Sequence, residues 1–283
     1  MPAVTQAVIL ARGLGTRMRQ SSDGGRATES EGTGRRVLDA AQAAAADAGL
    51  KGMIPVGRPF LEYVLSALAD AGITDVVLVI GPEHAAVREH FTVTAPPARV
   101  RVRFSVQAEP RGTADALLAA ADAVGDKPFL MLNADNYYPA AQCAALAALG
   151  VNGLVAFDPE ALVREGGIEP DRVLRYALVD FDALGWLRAI REKPADDDPL
   201  VRRAERWVSM NLWSFTSRIF EACRLVQASP RGELELQSAV TIAMHELGER
   251  FRVVTARVGV LDLSSRSDIA TVAARLRHVR ARP

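Results

Sequence analysis

Hydrophobic positions along this 283-residue chain follow two rhythms. Through the first half, short uninterrupted apolar runs alternate with stretches whose apolar residues recur every three or four positions. Runs of the first kind suit strands covered on both faces, and the second kind suits helices laid against them. Strands are predicted at Thr5–Leu10, Asp75–Ile80, Val100–Val106, Phe129–Leu132 and Gly153–Phe157. Helices are predicted between them at Phe60–Ala71, Glu83–Phe91, Thr113–Val124 and Ala140–Leu149. Leu61, Val64, Leu65 and Leu68 form one helical stripe, and Gly72 is placed to stop it. The alternation implies an α/β fold with a mostly parallel sheet flanked by helices.

The second half changes rhythm. Val173–Phe181, Leu187–Arg191 and Trp207–Phe215 read as strands joined by turns, which predicts a partly antiparallel region. Helices return at Ser217–Gln227 and Leu236–Leu247, followed by a strand at Arg252–Ala256 and a last helix after Ser267. The final Arg275–Pro283 stretch alternates basic and apolar residues and is expected to be a solvated helical tail. One segment fits neither rhythm. From Arg19 to Gly34 the chain is polar and rich in Gly, Ser and Thr, with almost nothing to bury. Arg36–Ala48 then reads as an alanine-rich helix closed by Gly49.

Charge and composition narrow the partners. Formal net charge is zero, so no bulk field draws the chain to nucleic acid or to an acidic membrane. No segment reaches the ~20 uninterrupted apolar residues of a membrane span, and no basic-then-apolar leader opens the chain. A cytoplasmic location is expected. Cys143 and Cys223 lie in apolar helical surroundings and are expected to be free thiols. His84, His90, His245 and His278 are scattered, without zinc-ligand spacing.

Candidate chemistry collects where strands end. Val8-Ile9-Leu10-Ala11-Arg12-Gly13-Leu14-Gly15-Thr16-Arg17-Met18 is an apolar strand running into a glycine-rich turn that delivers an arginine. Glycines let the backbone come close to a ligand and expose successive N–H groups, which suits a triphosphate. Arg17 adds a fixed positive fork. The dinucleotide fingerprint would need a third glycine where Met18 stands, and the Gly-x-x-x-x-Gly-Lys-Ser/Thr loop is absent. In Gln107-Ala108-Glu109-Pro110-Arg111-Gly112-Thr113-Ala114, the glutamine amide offers donor and acceptor to a base edge. Gly112 lets a base lie against the backbone, and Thr113 is placed to cap the following helix. Phe129-Leu130-Met131-Leu132-Asn133-Ala134-Asp135 is an apolar strand ending in a carboxylate, where open α/β sheets bind ligands and a hard Mg²⁺ ion finds oxygen.

In this order the stretches closely resemble the signature of the sugar-1-phosphate nucleotidyltransferases. Lys51-Gly52-Met53-Ile54-Pro55 resembles the second half of that signature, with Gly52 where the family usually has proline. Arg191-Glu192-Lys193-Pro194 resembles its Glu-Lys-Pro element, and Arg231-Gly232-Glu233-Leu234-Glu235 its Gly-Glu-x-Glu stretch. Tyr176-Ala177 stands where an aromatic and a glycine often line the sugar pocket, and Asn211 and Trp213 resemble a sugar-side strand. Val260-Leu261-Asp262 resembles the strand that supplies a second metal carboxylate, though Leu263-Ser264-Ser265 replaces the usual x-Gly-Thr and Ala134 replaces the usual glycine before Asp135. The likeness runs from about Ala7 to Ile269. Arg17 and Lys51 are separated here by an insertion of some two dozen residues, read either as a lid over the nucleotide or as a tolerated surface insertion.

The resemblance implies a Rossmann-like, nucleotide-diphospho-sugar transferase fold in one domain, with a nucleotide half at about 1–150, an insertion at about 19–50 and a sugar-phosphate half at about 151–283. It implies catalytic roles for Arg17, Lys51, Asp135 and Lys193. Leu10, Ala11, Gly13, Gly15, Thr16, Gln107 and Gly112 would meet the nucleotide. Tyr176, Glu192, Lys193, Asn211, Trp213 and Glu233 would meet the sugar phosphate, and Asp135 and Asp262 would hold Mg²⁺. The implied reaction joins an NTP, with dTTP or UTP favoured, to a sugar 1-phosphate and releases pyrophosphate. Two alternatives stay open: a non-catalytic nucleotide-binding homologue, and a related transferase with a non-sugar acceptor. Assembly as a homo-oligomer is also open.

Overall fold

Successive residues of the central strands feed two separate apolar clusters. Ala7, Ile9, Val76, Leu78, Leu130 and Leu132 belong to one, while Val8, Val77, Val79, Phe129 and Met131 belong to the other. A strand's side chains alternate between the faces of a sheet, so this sheet is buried on both sides. The computed structural model describes residues 4–13, 15–19, 38–192, 194–195 and 197–283, with the backbone alone at Thr16 and Arg17.

In chain order, β1 (Gln6–Leu10) leads through the one-turn helix α1 (Thr16–Arg19) to α2 (Ala40–Asp47) and α3 (Phe60–Asp70). β2 (Asp75–Ile80), α4 (Ala85–Glu89) and β3 (Arg101–Val106) follow, then α5 (Thr113–Leu118), α6 (Ala121–Val124) and β4 (Phe129–Asn133). Beyond them come the short β5 (Asn136–Tyr137), α7 (Ala140–Ala147), β6 (Gly153–Phe157), α8 (Pro159–Ala161) and α9 (Pro170–Val173). The remainder is β7 (Ala177–Phe181), β8 (Leu187–Arg191), β9 (Val208–Phe215), α10 (Ile219–Leu225), α11 (Leu236–His245), β10 (Arg252–Ala256), β11 (Leu261–Asp262) and α12 (Asp268–Leu276).

The main sheet has the order β10-β6-β9-β4-β1-β2-β3, with β7 pairing to β9 and to β8. β1, β2, β3 and β4 are parallel to one another, as the first-half rhythm predicts. β9 runs antiparallel between β4 and β6, and β7 and β8 form an antiparallel pair, which is the change of rhythm in the second half. β11 pairs separately with β5.

Several local expectations are corrected, among them the strand read at Val173–Phe181, which begins only at Ala177 because Pro170–Val173 is helical. The single helix predicted over Thr113–Val124 breaks into α5 and α6, because the turn at Ala119–Ala120 keeps Leu117, Ala120 and Val124 in one core. The tail is helical only as far as Leu276. Beyond it the chain is pinned: Ser66 Oγ accepts from Arg282 N at 2.9 Å, and Ala98 N donates to Pro283 O at 2.9 Å. Of the Arg36–Ala48 helix, Ala40–Asp47 is observed, started by an Asp39–Gln42 capping box, and residues 20–37 lie outside the described residues.

Cys143 and Cys223 are free and buried, and burial pushes both thiols up to about 12. Among the described residues no helix is long and apolar enough to cross a membrane.

Candidate active site

Strand order decides where a ligand fits. The chain winds outward from β1 through β2 to β3, then returns across β1 to add β4 on its other side. Loops leaving neighbouring parallel strands on opposite sides of such a reversal diverge and leave a crevice at the strands' carboxyl ends. A cleft of about 390 Å³ lies there, lined by Leu10, Ala11, Arg12, Gly13 and Gly15 at and beyond the end of β1, Gln107 and Gly112 after β3, and Asn133, Ala134 and Asp135 at and beyond the end of β4. Lys51 and Glu233 line it as well. Residues spread over more than two hundred positions thus share one wall.

The glycine-rich turn is shaped by its neighbour. Gly15 is left-handed at φ 60°, and a Cβ there would lie 2.6 Å from the Cα of Gly49, so α1 and the end of α2 meet backbone to backbone. Arg12, which the pattern gave no reason to single out, ties three strand ends together: its guanidinium bonds the Gln107 carbonyl and, through Nε, Glu83 at 3.2 Å. Leu14, the side chains of Thr16 and Arg17, and Lys193 lie outside the described residues.

Gln107 is buried, and its amide Nε2 donates to Gly112 O at 3.1 Å and Asp115 Oδ2 at 2.8 Å. The segment after β3 is zipped to the one before α11. Ala114 N donates to Leu234 O and Leu234 N to Arg111 O, and a Cβ on Gly112 would meet Leu234 O at 2.5 Å. Thr113 does not cap its own helix. Its Oγ1 accepts from Leu236 N at 2.9 Å and so caps α11. Gly112→Ala is therefore expected to cost more than about 1 kcal/mol, since φ is 122° and backbone blocks the new methyl. A denaturant midpoint lowered together with weaker nucleotide binding is the result to look for.

Lys51 stands on a 3₁₀ turn at Lys51–Met53, and its Nζ lies 2.8 Å from Asp135 Oδ2. Both side chains are about a fifth exposed, at 21% and 23%. Behind this pair, Leu263 N donates to Asp135 O at 2.8 Å, and Asp262 pairs in register with Asn136. The segments of the two predicted carboxylates are therefore brought side by side from distant parts of the sequence. Asp262 is buried; its Oδ2 accepts from Tyr176 Oη at 2.7 Å and Arg172 Nη2 at 2.9 Å, and its Oδ1 from Ser264 Oγ at 2.6 Å. Burial, with the charge of Asp135 added, holds its carboxyl above the usual range while Arg172 opposes the shift. Tyr176 is raised by burial and by Asp262. The Ser264-Ser265 departure has a local logic, because both backbone N–H groups bond Asp268 and Arg172 bridges Asp262 to Asp268.

On the sugar side the outcome is mixed. Arg231 pairs with Glu235 at 2.7 Å and lies 3.8 Å from Glu233, and its guanidinium is raised by the bond to Glu235 first and by the charges of Glu233 and Glu192 less. Asn211 has a left-handed backbone at φ 60°, an uncommon conformation for a residue other than glycine and a mark of functional positions. Its Oδ1 accepts from Gln237 Nε2 at 3.2 Å and Trp213 Nε1 at 3.4 Å. Trp213 is a correction. Its ring is fully buried in the apolar cluster, stacked on Phe215 and edge-on to Phe251, so it braces Asn211 from within the core and does not face a sugar. The large aromatic surface is what drew it inside.

Residues 32–276 match the model of the nucleotidyl transferase family, and the chain belongs to that family. The glycine-rich turn precedes the matched span; it joins the site through the shared cleft. The UTP–glucose-1-phosphate uridylyltransferase of Haloferax volcanii is 29% identical over 238 residues, 84% of this chain and 82% of that protein. A glucose-1-phosphate thymidylyltransferase of Actinoplanes sp. is 27% identical over 213 residues, 72% of this chain but 62% of its own length. Among solved structures, a UTP-bound UGPase from Acinetobacter baumannii superposes with a TM-score of 0.73 at 18% identity, covering 98% of this chain and 95% of that one. A UDP-glucose pyrophosphorylase complexed with UDP-glucose gives 0.71 at 14% identity, covering 98% and 100%. The mostly parallel sheet flanked by helices is the fold of these proteins.

Proposed function

We propose that this protein transfers a nucleotidyl group from an NTP to a sugar 1-phosphate, giving an NDP-sugar and pyrophosphate. The observation that carries the reading is the convergence in one cleft of the glycine-rich turn, the Gln107–Gly112 segment and the Lys51–Asp135 pair, with Asp262 directly behind. dTTP and UTP are the favoured nucleotides, in keeping with the names of the relatives.

A sugar phosphate oxygen attacks the α-phosphorus, the new P–O bond forms, and the bond to the β-phosphate oxygen breaks. A phosphate monoester is already ionised near neutral pH, with a second pKa of about 6, so no catalytic base is needed. What the protein supplies is alignment of two anions that repel each other. Lys51, already at the cleft wall, and Arg17 would take up pyrophosphate charge. Lys193, with Glu192 beside it, would direct the attacker, and Gln107 and Gly112 would fix the base. Among the described residues no group of three or more His, Cys, Asp or Glu is arranged as a metal cage. Carboxylate oxygens are nonetheless the donors Mg²⁺ takes when substrate phosphates and water complete its shell, and those of Asp135 and Asp262 are bonded here by Lys51 and by Tyr176, Arg172 and Ser264. Asp135 and Asp262 would hold that ion, which when bound neutralises charge on the α-phosphate and leaving group.

The test is pyrophosphate release measured over a grid of NTPs and sugar 1-phosphates with Mg²⁺, with product masses. Release that needs both substrates supports the reading. Nucleotide bound without any release would favour a regulatory homologue, and release with non-sugar acceptors alone would move the assignment to a related transferase.

A further inference from the structure

We infer that Arg266 is a positioning residue for the triphosphate side of the cleft: its guanidinium fastens the turn that contains Arg17 to helix α2 and to the segment that carries Asp262. This rests on the proposed nucleotidyl transfer and adds a residue that neither the motifs nor the comparisons single out.

α1 is a single turn, four residues long. One turn fixes several backbone angles for very few hydrogen bonds and does not hold by itself. Internally it has Met18 N and Arg19 N donating to Gly15 O at 2.9 and 2.8 Å. As a rule the last carbonyls of a helix find no donor within the helix and take one from outside. Arg266 supplies it, with Nε donating to Met18 O at 2.8 Å across a sequence separation of 248 residues. The same guanidinium reaches Asp47, the final residue of α2, through Nη2. Two further contacts join α1 to α2 where the Arg266 fork meets them. Arg19 Nη2 donates to Ala48 O at 2.9 Å, and Gly15 packs on the Gly49 backbone with no room for a Cβ of its own.

The other end of the clamp is equally fixed. Arg266 follows Asp262 by four residues, in the turn where Ser264 N and Ser265 N bond Asp268 at 3.0 and 2.7 Å. Arg172 bonds both Asp262 and Asp268, so the turn and the carboxylate strand move as one piece. Arg266 is thus the side chain that sets the spacing between the glycine-rich turn and the metal-side carboxylate. Its two bonds are unequal. Asp47 is 68% exposed, and an exposed ion pair contributes little, whereas the Met18 carbonyl bond is partly buried and charge-assisted.

The experiment compares Arg266→Ala, Arg266→Lys and Asp47→Asn with the parent, measuring NTP binding by calorimetry and both KM values in the pyrophosphate assay. Losing a hydrogen bond to a charged donor predicts NTP affinity and KM weakened about tenfold in Arg266→Ala. The KM for sugar 1-phosphate should stay within about twofold, Arg266→Lys should recover much of the loss by donating to Met18 O, and Asp47→Asn should be nearly silent. Parent-like NTP binding in Arg266→Ala, or equal loss for both substrates with no recovery in Arg266→Lys, would overturn the inference. Should Arg266→Ala not fold, Arg266→Lys against Arg266→Gln reads the same bond. If the parent binds NTP yet releases no pyrophosphate, the nucleotidyl-transfer reading fails while the calorimetry still decides the role of Arg266.

Discussion

Asp135→Asn is expected to lower kcat by at least about 10²-fold, the range lost when a preorganised charge is removed from a phosphoryl or acyl transfer site. The folded protein should survive the change. Asp135 follows β4, whose packing is set by Phe129, Leu130, Met131 and Leu132, all buried, and none of that surface is touched. Its ion pair with Lys51 is partly exposed, and such pairs contribute about 0–1 kcal/mol. Asp262 is a poorer probe of the same chemistry. Its partner Arg172 is nearly buried, and removing one member of a buried pair costs about 3–5 kcal/mol, which would confuse loss of activity with loss of fold. Steady-state turnover and a thermal melt on the purified Asp135→Asn protein decide the matter. Turnover within a few-fold of the parent would remove the carboxylate from the mechanism.

Which parts of this site a sequence reader could have found follows from how each residue acts. Gln107 and Asp135 follow strand ends closely and Gly15 and Gly112 lie in the loops that leave them, and strand ends are marked locally by an apolar run stopping at a polar or glycine residue. The boundaries of β2, β6, β8 and β10 coincide with the predicted runs for the same reason. Partners that act through tertiary contact leave no such mark. Arg172 meets Asp262 across 90 positions and Arg266 meets Met18 across 248, and an arginine in a polar turn looks like any other surface cation. Thr113 was placed correctly beside a helix start but served a different helix, because Leu236 N arrives from a remote loop. Trp213 failed in the opposite direction. Its motif pointed to a ligand, while β9 is inserted between β4 and β6 and places this ring in the apolar cluster behind the sheet.

Lys51→Ala is expected to reduce kcat/KM for the NTP by about 10²–10³-fold, because a cation at the cleft wall would oppose the charge that builds on departing pyrophosphate. Lys51→Arg should rescue poorly. A guanidinium is planar and forked where the site holds a compact ammonium within 2.8 Å of one carboxylate oxygen, so the substitution changes both reach and direction. Stability again should change little, since Lys51 stands on a short 3₁₀ turn outside the main sheet. The informative measurement is the double variant. If Lys51 and Asp135 act as one charge-balanced unit, removing both costs hardly more than the worse single change, because either loss already breaks the pair. Independent roles predict that the two losses multiply. Kinetics of the parent, both single variants and the double variant under one set of NTP, sugar 1-phosphate and Mg²⁺ concentrations separate the two outcomes, and a multiplicative result would assign Lys51 to the triphosphate alone.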